Sequence, residues 1–218
     1  VTYTGDGVAG RTVAHNLGSV PGCIIVKKLN AADQWAVQHK SLTATHNLIL
    51  ERTDAATDDD AYWYDIEPTS TEFTVGYDGG TNGNGSSYVA YLFASDAGGF
   101  GDDGSENIIK CGSFSGDSNA DIALGFEPQF LIYKRTDTTG NWGIFDVMRG
   151  MTVDGNGTYL LANTSGAEAT VSEQPSPIAN GFRWNSTAVG SNYIYIAIRR
   201  PMKTPESGTE VFAIDQVS

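Results

Sequence analysis

Leu17-Gly18-Ser19-Val20-Pro21-Gly22-Cys23-Ile24-Ile25-Val26-Lys27-Lys28 reads onto Leu124-Gly125-Phe126-Glu127-Pro128-Gln129-Phe130-Leu131-Ile132-Tyr133-Lys134-Arg135, 107 positions further on. Trp35 follows Lys27 by eight residues, and Trp142 follows Lys134 by the same eight. Repetition of this kind marks a chain built from copies of one supersecondary unit. The match continues outward with small insertions. Leu50-Glu51-Arg52 aligns with Leu161-Ala162-Asn163, Phe73 with Phe182, and Tyr88-Val89-Ala90-Tyr91-Leu92-Phe93 with Tyr193-Ile194-Tyr195-Ile196-Ala197-Ile198. Upstream, Tyr3-Thr4-Gly5-Asp6 aligns with Phe114-Ser115-Gly116-Asp117. The blocks keep one order in both halves, so the chain reads as two related units in tandem.

Each unit reads as strands. Cys23 to Lys28 and Phe130 to Arg135 are short runs of β-branched and aromatic residues, each introduced by a Gly/Pro turn. Trp35 to His39 and Trp142 to Asp146 follow as the next strands, and Asn47 to Arg52 alternates apolar with polar, as a half-buried strand does. The runs from Tyr88 and from Tyr193 are continuously apolar and suit central strands covered on both faces. Asp78-Gly79-Gly80, Asn82-Gly83-Asn84-Gly85 and Asp154-Gly155-Asn156-Gly157 are read as turns with positive φ. Many strands per hundred residues make the expected fold all-β, two tandem β-sandwich units. Residues 1–99 form the first and 100–203 the second; 204–218 are a C-terminal extension or the start of a further repeat.

Composition agrees with short strands and many turns: 26 glycines, and only 18% charged residues in 218. The net charge of −13 is spread over both halves. An acidic surface repels polyanions, which argues against nucleic-acid partners and against anionic lipid. No apolar run approaches the roughly 18 residues of a membrane-spanning helix, so membrane insertion is not expected. The chain begins at Val1 without a signal-peptide pattern and is expected to be processed or a piece of something longer. Cys23 and Cys111 fall at non-matching places in the repeat and are expected as unpaired, buried thiols.

The same blocks carry a family resemblance. Tyr3-Thr4-Gly5-Asp6-Gly7, then Leu-Gly-x-x-Pro before a strand ending in Lys-Lys or Lys-Arg, Trp eight residues later, and the Tyr88 and Tyr193 runs are similar to an uncharacterised domain. That domain recurs in tandem in tail-fibre-like virion proteins of tailed phages, marine phages and cyanophages among them. The exit Ala197 to Pro205, followed by Gly208-Thr209-Glu210-Val211-Phe212, resembles the joint to a further repeat. The resemblance implies a structural protein on the virion exterior, contributing to assembly and host-surface attachment. Its partners would be other virion proteins, further copies of itself in a homo-oligomer, and host glycan. It carries over no catalytic residues.

Chemistry-bearing motifs are few. Gly5-Asp6-Gly7-Val8-Ala9-Gly10 fits G-x-G-x-x-G but lacks the preceding strand and following helix of a dinucleotide site, and is read as a turn. His15, His39 and His46 have no metal-like spacing, and the second unit has no histidine. No catalytic residue is therefore assigned, and a polysaccharide-degrading enzyme built on a carboxylate pair stays as the alternative. Asp58-Asp59-Asp60 and Asp102-Asp103 are acidic loops. The first is the candidate metal site, because clustered carboxylates and loop carbonyls suit Ca²⁺. Trp35 and Trp142, being equivalent, are assigned to the core. Trp63, within Tyr62-Trp63-Tyr64, and Trp184, whose counterpart is Val75, each occur in one unit only. Tyr62, Trp63, Tyr64 and Trp184 are thus the candidate aromatic platforms for a glycan, a receptor or a neighbouring chain, with packing between units or subunits as the other reading.

Overall fold

The computed structural model describes residues 1–199 apart from 102, 118, 154–155, 172–174 and 186–189. The expected extension at 204–218, the exit joint beyond Arg199, Asp102 and the first half of the 154–157 turn lie outside the described residues.

The first repeat runs β1 (Thr2–Thr4), β2 (Arg11–Ala14), β3 (Pro21–Lys28), β4 (Trp35–His39), β5 (His46–Ile49), β6 (Thr57–Asp58), α1 (Asp60–Trp63), β7 (Glu72–Val75), α2 (Gly79–Asn82) and β8 (Ser87–Ala94). The second runs β9 (Ile109–Ser115), β10 (Ala120–Ala123), β11 (Pro128–Arg135), β12 (Trp142–Asp146), β13 (Gly157–Leu161), β14 (Ala169–Val171), β15 (Ser176–Ile178), β16 (Gly181–Trp184) and β17 (Asn192–Arg199). Strand order is β1-β8-β3-β4-β5-β6 in one six-stranded sheet and β9-β17-β11-β12-β13-β14 in the other. Beside each lies a smaller sheet, β2-β7 in the first repeat and β10-β16-β15 in the second. The protein is all-β, and the eight strands of the first unit have counterparts in the second, which adds β15.

Register confirms the equivalence residue by residue. Lys27 pairs with Trp35 as Lys134 pairs with Trp142, and Val13 faces Phe73 as Ile122 faces Phe182. Tyr3 stacks on Tyr88 at 5.1 Å, and Phe114 on Tyr193 at 5.0 Å. One block shifts by a residue. Leu50 N–H donates to Trp35 O as Ala162 N–H donates to Trp142 O, so the counterpart of Leu50 is Ala162, not Leu161. The Glu51 carboxylate and the Asn163 amide oxygen then accept equivalent bonds from Trp35 N and Trp142 N. The turn reading also changes at Asp78-Gly79-Gly80 and Asn82. Asp78 caps α2 by accepting from Gly80 N, Gly79 to Asn82 are helical, and of the glycines there only Gly85 has positive φ. A short Asx cap competes with a hairpin turn for the same residues, and here it wins.

Each repeat is a sandwich of its large and small sheets. Val13, Phe73 and Val75 meet Ile24, Val26, Ala36, Tyr88 and Ala90 in the first core; Phe182 and Trp184 meet Leu131, Phe145, Tyr193 and Tyr195 in the second. A third core joins them. Cys23, Val37 and Leu48 pack with Cys111, Ile132, Trp142, Ile194 and Ile196, so the outer faces of the two large sheets press together. The layers are therefore small sheet, large sheet, large sheet, small sheet. Two units in tandem become one four-layer body, which is why β3, β11 and β17 are apolar on both faces.

The two large sheets are slid against each other. On the shared face of the first repeat, His39 and Cys23 are fully covered, Val37 is covered, and Trp35, Lys27 and Val89 are only half-buried. In the second repeat the gradient runs the other way. Trp142, Lys134 and Ile194 are covered, while Asp146, Phe130 and Ile198 are half-buried. Trp35 is therefore not the core residue that its equivalence to Trp142 suggested. Hydrogen bonds cross the junction in both directions: His39 Nε2 meets Tyr195 O at 3.1 Å and Ala56 N donates to Thr136 O at 2.9 Å, while the second repeat donates back. Trp142 Nε1 donates to Ile49 O at 3.0 Å, Lys134 Nζ to Thr53 O at 3.2 Å and Gly140 N to Thr53 O at 2.8 Å. Lys27 instead donates to Asp33 O within its own repeat.

Candidate functional site

Apart from Trp184, the candidate residues cluster around α1, which among the described residues only the first repeat carries. Asp59, extended at φ −159°, caps the helix by accepting from Ala61 N at 3.0 Å. Tyr64 closes it in the left-handed region at φ 54°, and Asp65 follows with φ 54°. Two adjacent non-glycine residues in that region are uncommon, and surrounding contacts must hold them. Tyr77 N and Asp78 N both donate to Ala61 O, and Gly76 N to Tyr62 O. A Cβ at Gly76 would stand 2.1 Å from Ala61 O, so only glycine allows this approach.

One turn of helix then sends its aromatics different ways. Trp63 points into the core of the first sandwich, 0% exposed, with Nε1 donating to Asn47 Oδ1 at 3.2 Å. It cannot serve as an external platform. Trp184 is corrected in the same way. It shares a strand face with Phe182 as expected, but that face points inward, leaving Trp184 2% exposed and edge-on to Tyr133 at 4.9 Å. The outward residue of β16 is Arg183, paired with Asp121 at 2.6 Å. Each repeat thus fills its core with a tryptophan from a different element. An aromatic unique to one unit was read as dispensable to the core; it substitutes instead for volume that the other unit draws from elsewhere.

Tyr62 and Tyr64 remain at the surface, joined by Tyr77. Tyr62 OH accepts from Gln34 Nε2, which also lies 3.4 Å from Asp78 Oδ1. Burial, then the Asp78 charge, pushes the Tyr62 phenol above its ordinary value. Tyr77, 53% exposed, donates its hydroxyl to Asp60 Oδ1 at 3.1 Å, and that bond raises its phenol too. Tyr64 lies over Gly10, where a Cβ would come within 2.9 Å of the ring. Tyr62 thus holds its phenol against Gln34 beside Asp78, Tyr77 against Asp60, and Tyr64 lies over Gly10. They offer flat faces for stacking and fixed donors and acceptors beside them. Sequence reading passed over Tyr77 and Gln34, which only folding brings to α1.

The acidic run does not converge. Asp58 lies on the edge strand β6, Asp59 is occupied as the cap and Asp60 accepts from Tyr77. Among the described residues, no group of three His, Cys, Asp or Glu is placed to hold a metal ion. The Gly5–Gly10 segment is the turn between β1 and β2, with Gly7 and Gly10 at positive φ and the buried Asn82 bonded to Asp6, Val8 O and Gly76 O. His39 is buried at the junction, its Nε2 3.1 Å from Tyr195 O, while His15 and His46 bond to Thr69 O and Thr45 Oγ1. Both cysteines are free and buried in the junction core. No helix among the described residues is long and apolar enough to cross a membrane.

A second aromatic surface lies on the open end of the first repeat's large sheet. Trp35 and Tyr91 stack with centroids 6.4 Å apart and planes at 23°, and Lys27 Nζ sits 5.4 Å from the Trp35 ring. Tyr91 is 49% exposed, whereas its counterpart Ile196 is buried. The sequence signal for it was available: like Trp63, Tyr91 is an aromatic that one unit alone carries.

Comparison with known proteins places the chain by family alone. The profile of a domain of unknown function, DUF7483, matches residues 1–201, and the chain belongs to that family. No curated protein and no solved structure matches it.

Proposed function

We propose that this DUF7483 chain is a non-enzymatic structural module of a tailed-phage exterior, a tail fibre or similar appendage, contributing to assembly and host-surface attachment. The observation that carries this reading is the junction. A common apolar core and directed hydrogen bonds join two repeats into one body, while aromatic side chains unneeded by that core remain outside. A rigid body with exposed aromatics suits work by contact, since binding energy concentrates in a few such residues. The phage setting rests on the resemblance that the motifs from Tyr3-Thr4-Gly5 to the Tyr193 run carry to a domain of tail-fibre-like virion proteins. The test is electron microscopy of particles labelled with an antibody to this chain. Label on an exterior appendage agrees with the proposal, and its absence from purified particles refutes it.

The phenols of Tyr62 and Tyr77, each bonded at the surface beside a carboxylate, favour a second reading, a glycan- or receptor-binding module. Phenol faces beside carboxylates are the groups that hold a sugar ring, by stacking and by hydrogen bonds to its hydroxyls. A glycan array run with and without a calcium chelator examines this reading and the part of Ca²⁺ in it. Binding lost in Tyr62→Ala and Tyr77→Ala variants that keep the parent's unfolding temperature supports it. Release of reducing sugar from a host polysaccharide would establish the enzymatic alternative instead.

A further inference from the structure

We infer that the first repeat binds a small phenol, a molecule with an aromatic ring and a hydroxyl, in the cavity between the Leu17–Ser19 bend and the link to the second repeat. This goes beyond the proposed virion role and does not depend on it.

Comparing the repeats shows where the cavity comes from. Leu17-Gly18-Ser19 and Leu124-Gly125-Phe126 are equivalent bends, each with its glycine in the left-handed region, at φ 79° and 88°. In the second repeat Leu124 and Phe126 are buried in the sandwich core with Leu131 and Phe145. In the first, Ser19 stands in the place of Phe126 and Gln38 in that of Phe145, with Gln38 pairing with Ile24 as Phe145 pairs with Leu131. One end of the first sandwich therefore lacks two phenyl rings. Leu92, larger than its counterpart Ala197, lines the space without filling it. A cavity of about 400 Å³ remains, walled by Leu17, Ser19, Leu92, Ala97, Phe100 and Ile108 among others.

Both polar replacements lack partners. Ser19 Oγ and the two amide atoms of Gln38 are buried and make no hydrogen bond within the protein. Such groups destabilise a fold, and phenylalanine at both places would remove the cost. Gln38 borders a separate space of about 40 Å³, which suits water rather than a ring. Ser19 belongs to the larger cavity, and every other side chain lining it is apolar. That lining disfavours charged ligands and heavily hydroxylated ones such as sugars, whose polar groups would go unmet. The group missing here is a phenyl ring, and Phe100, 49% exposed, offers a ring face against it. A hydroxyl on the ligand ring gives Ser19 its partner, since each can donate or accept once Ser19 turns towards the cavity. The volume falls within the range of small-molecule sites, about 300–1,000 Å³.

The experiment titrates the full chain with p-cresol, and with toluene as its match without the hydroxyl, by calorimetry and by the shift in unfolding temperature. Saturable binding of p-cresol to the parent is expected. Ser19→Ala should weaken p-cresol about three- to tenfold, the worth of one hydrogen bond, and leave toluene unchanged. Ser19→Phe restores the ring of the second repeat, so it should abolish binding of both compounds and raise the unfolding temperature. Ala97→Trp fills the cavity from its exposed wall and should also abolish binding, which keeps the test open if Ser19→Phe does not fold. A parent that binds neither compound overturns the inference, as does undiminished binding in a folded Ser19→Phe or Ala97→Trp chain. Equal effects of Ser19→Ala on p-cresol and toluene overturn the phenol class, because the hydroxyl then takes no part.

Discussion

Lowering the pH from 7 to 4 should loosen the junction between the repeats through His39. The imidazole is 1% exposed, and its two nitrogens have fixed roles. The Ser41 amide can only donate, at 3.2 Å to Nδ1, so the proton sits on Nε2 and is given to Tyr195 O of the other repeat at 3.1 Å. A second proton would set a ring N–H against the Ser41 N–H and bury a charge. Burial therefore lowers the imidazole from 6.5 to about 4, against the opposing bond to Tyr195, with the Lys40 charge adding to the depression. Between those two values the unfolded chain binds a proton that the folded chain refuses, so stability rises with pH there. The contribution is complete above about pH 6.5 and is lost as pH falls towards 4. At about 1.4 kcal/mol per pH unit, that amounts to about 3 kcal/mol. Carboxylates titrate in the same range, so the assay is urea unfolding of parent and His39→Gln at pH 7, 6, 5 and 4, read as their difference. Gln keeps a donor for Tyr195 O and does not titrate. The parent should lose about 3 kcal/mol relative to the variant by pH 4. A difference that stays flat across the series would show that His39 is not held neutral by the junction.

Other substitutions separate the covered from the open parts of the fold. Trp142→Ala should cost about 3–5 kcal/mol in urea unfolding, the range for emptying a large aromatic site, and Trp35→Ala less, about 1–2, since Trp35 is only partly buried; equal losses would contradict the difference in burial between the two. Gly76→Ala forces a methyl against the Ala61 carbonyl and should cost about 1–3 kcal/mol, checked by thermal unfolding, with a neutral result refuting the close approach. Cys23 and Cys111 should resist a thiol reagent in native buffer and react once denatured, because burial raises both thiols, Cys111 to about 12. Fast native labelling would mean that the junction core opens.

Much of the architecture was legible in the residues. The 107-residue offset between the Leu17 and Leu124 blocks fixed which strands are equivalent, and the continuous apolar run at Tyr193 marked a strand covered on both faces, whereas the Tyr88 run is covered on one face and leaves Tyr91 exposed on the other. Strand pattern is local, with a period of two, and one chain read twice corrects itself. Which aromatic faces outward was not legible. Trp63 depends on a cap at Asp59 and a left-handed Tyr64, and Trp184 on which face of β16 meets the large sheet. Trp35 and Trp142 are the same residue at the same register. They differ in burial only because one sheet has slid along the other, and no local pattern encodes a displacement between two surfaces. The sequence by itself determined the repeat, its main strands and their equivalence between the two units, through periodicity and turn chemistry. The tertiary structure alone decided which of two equivalent faces is buried and which is left exposed, because burial is a property of what lies opposite.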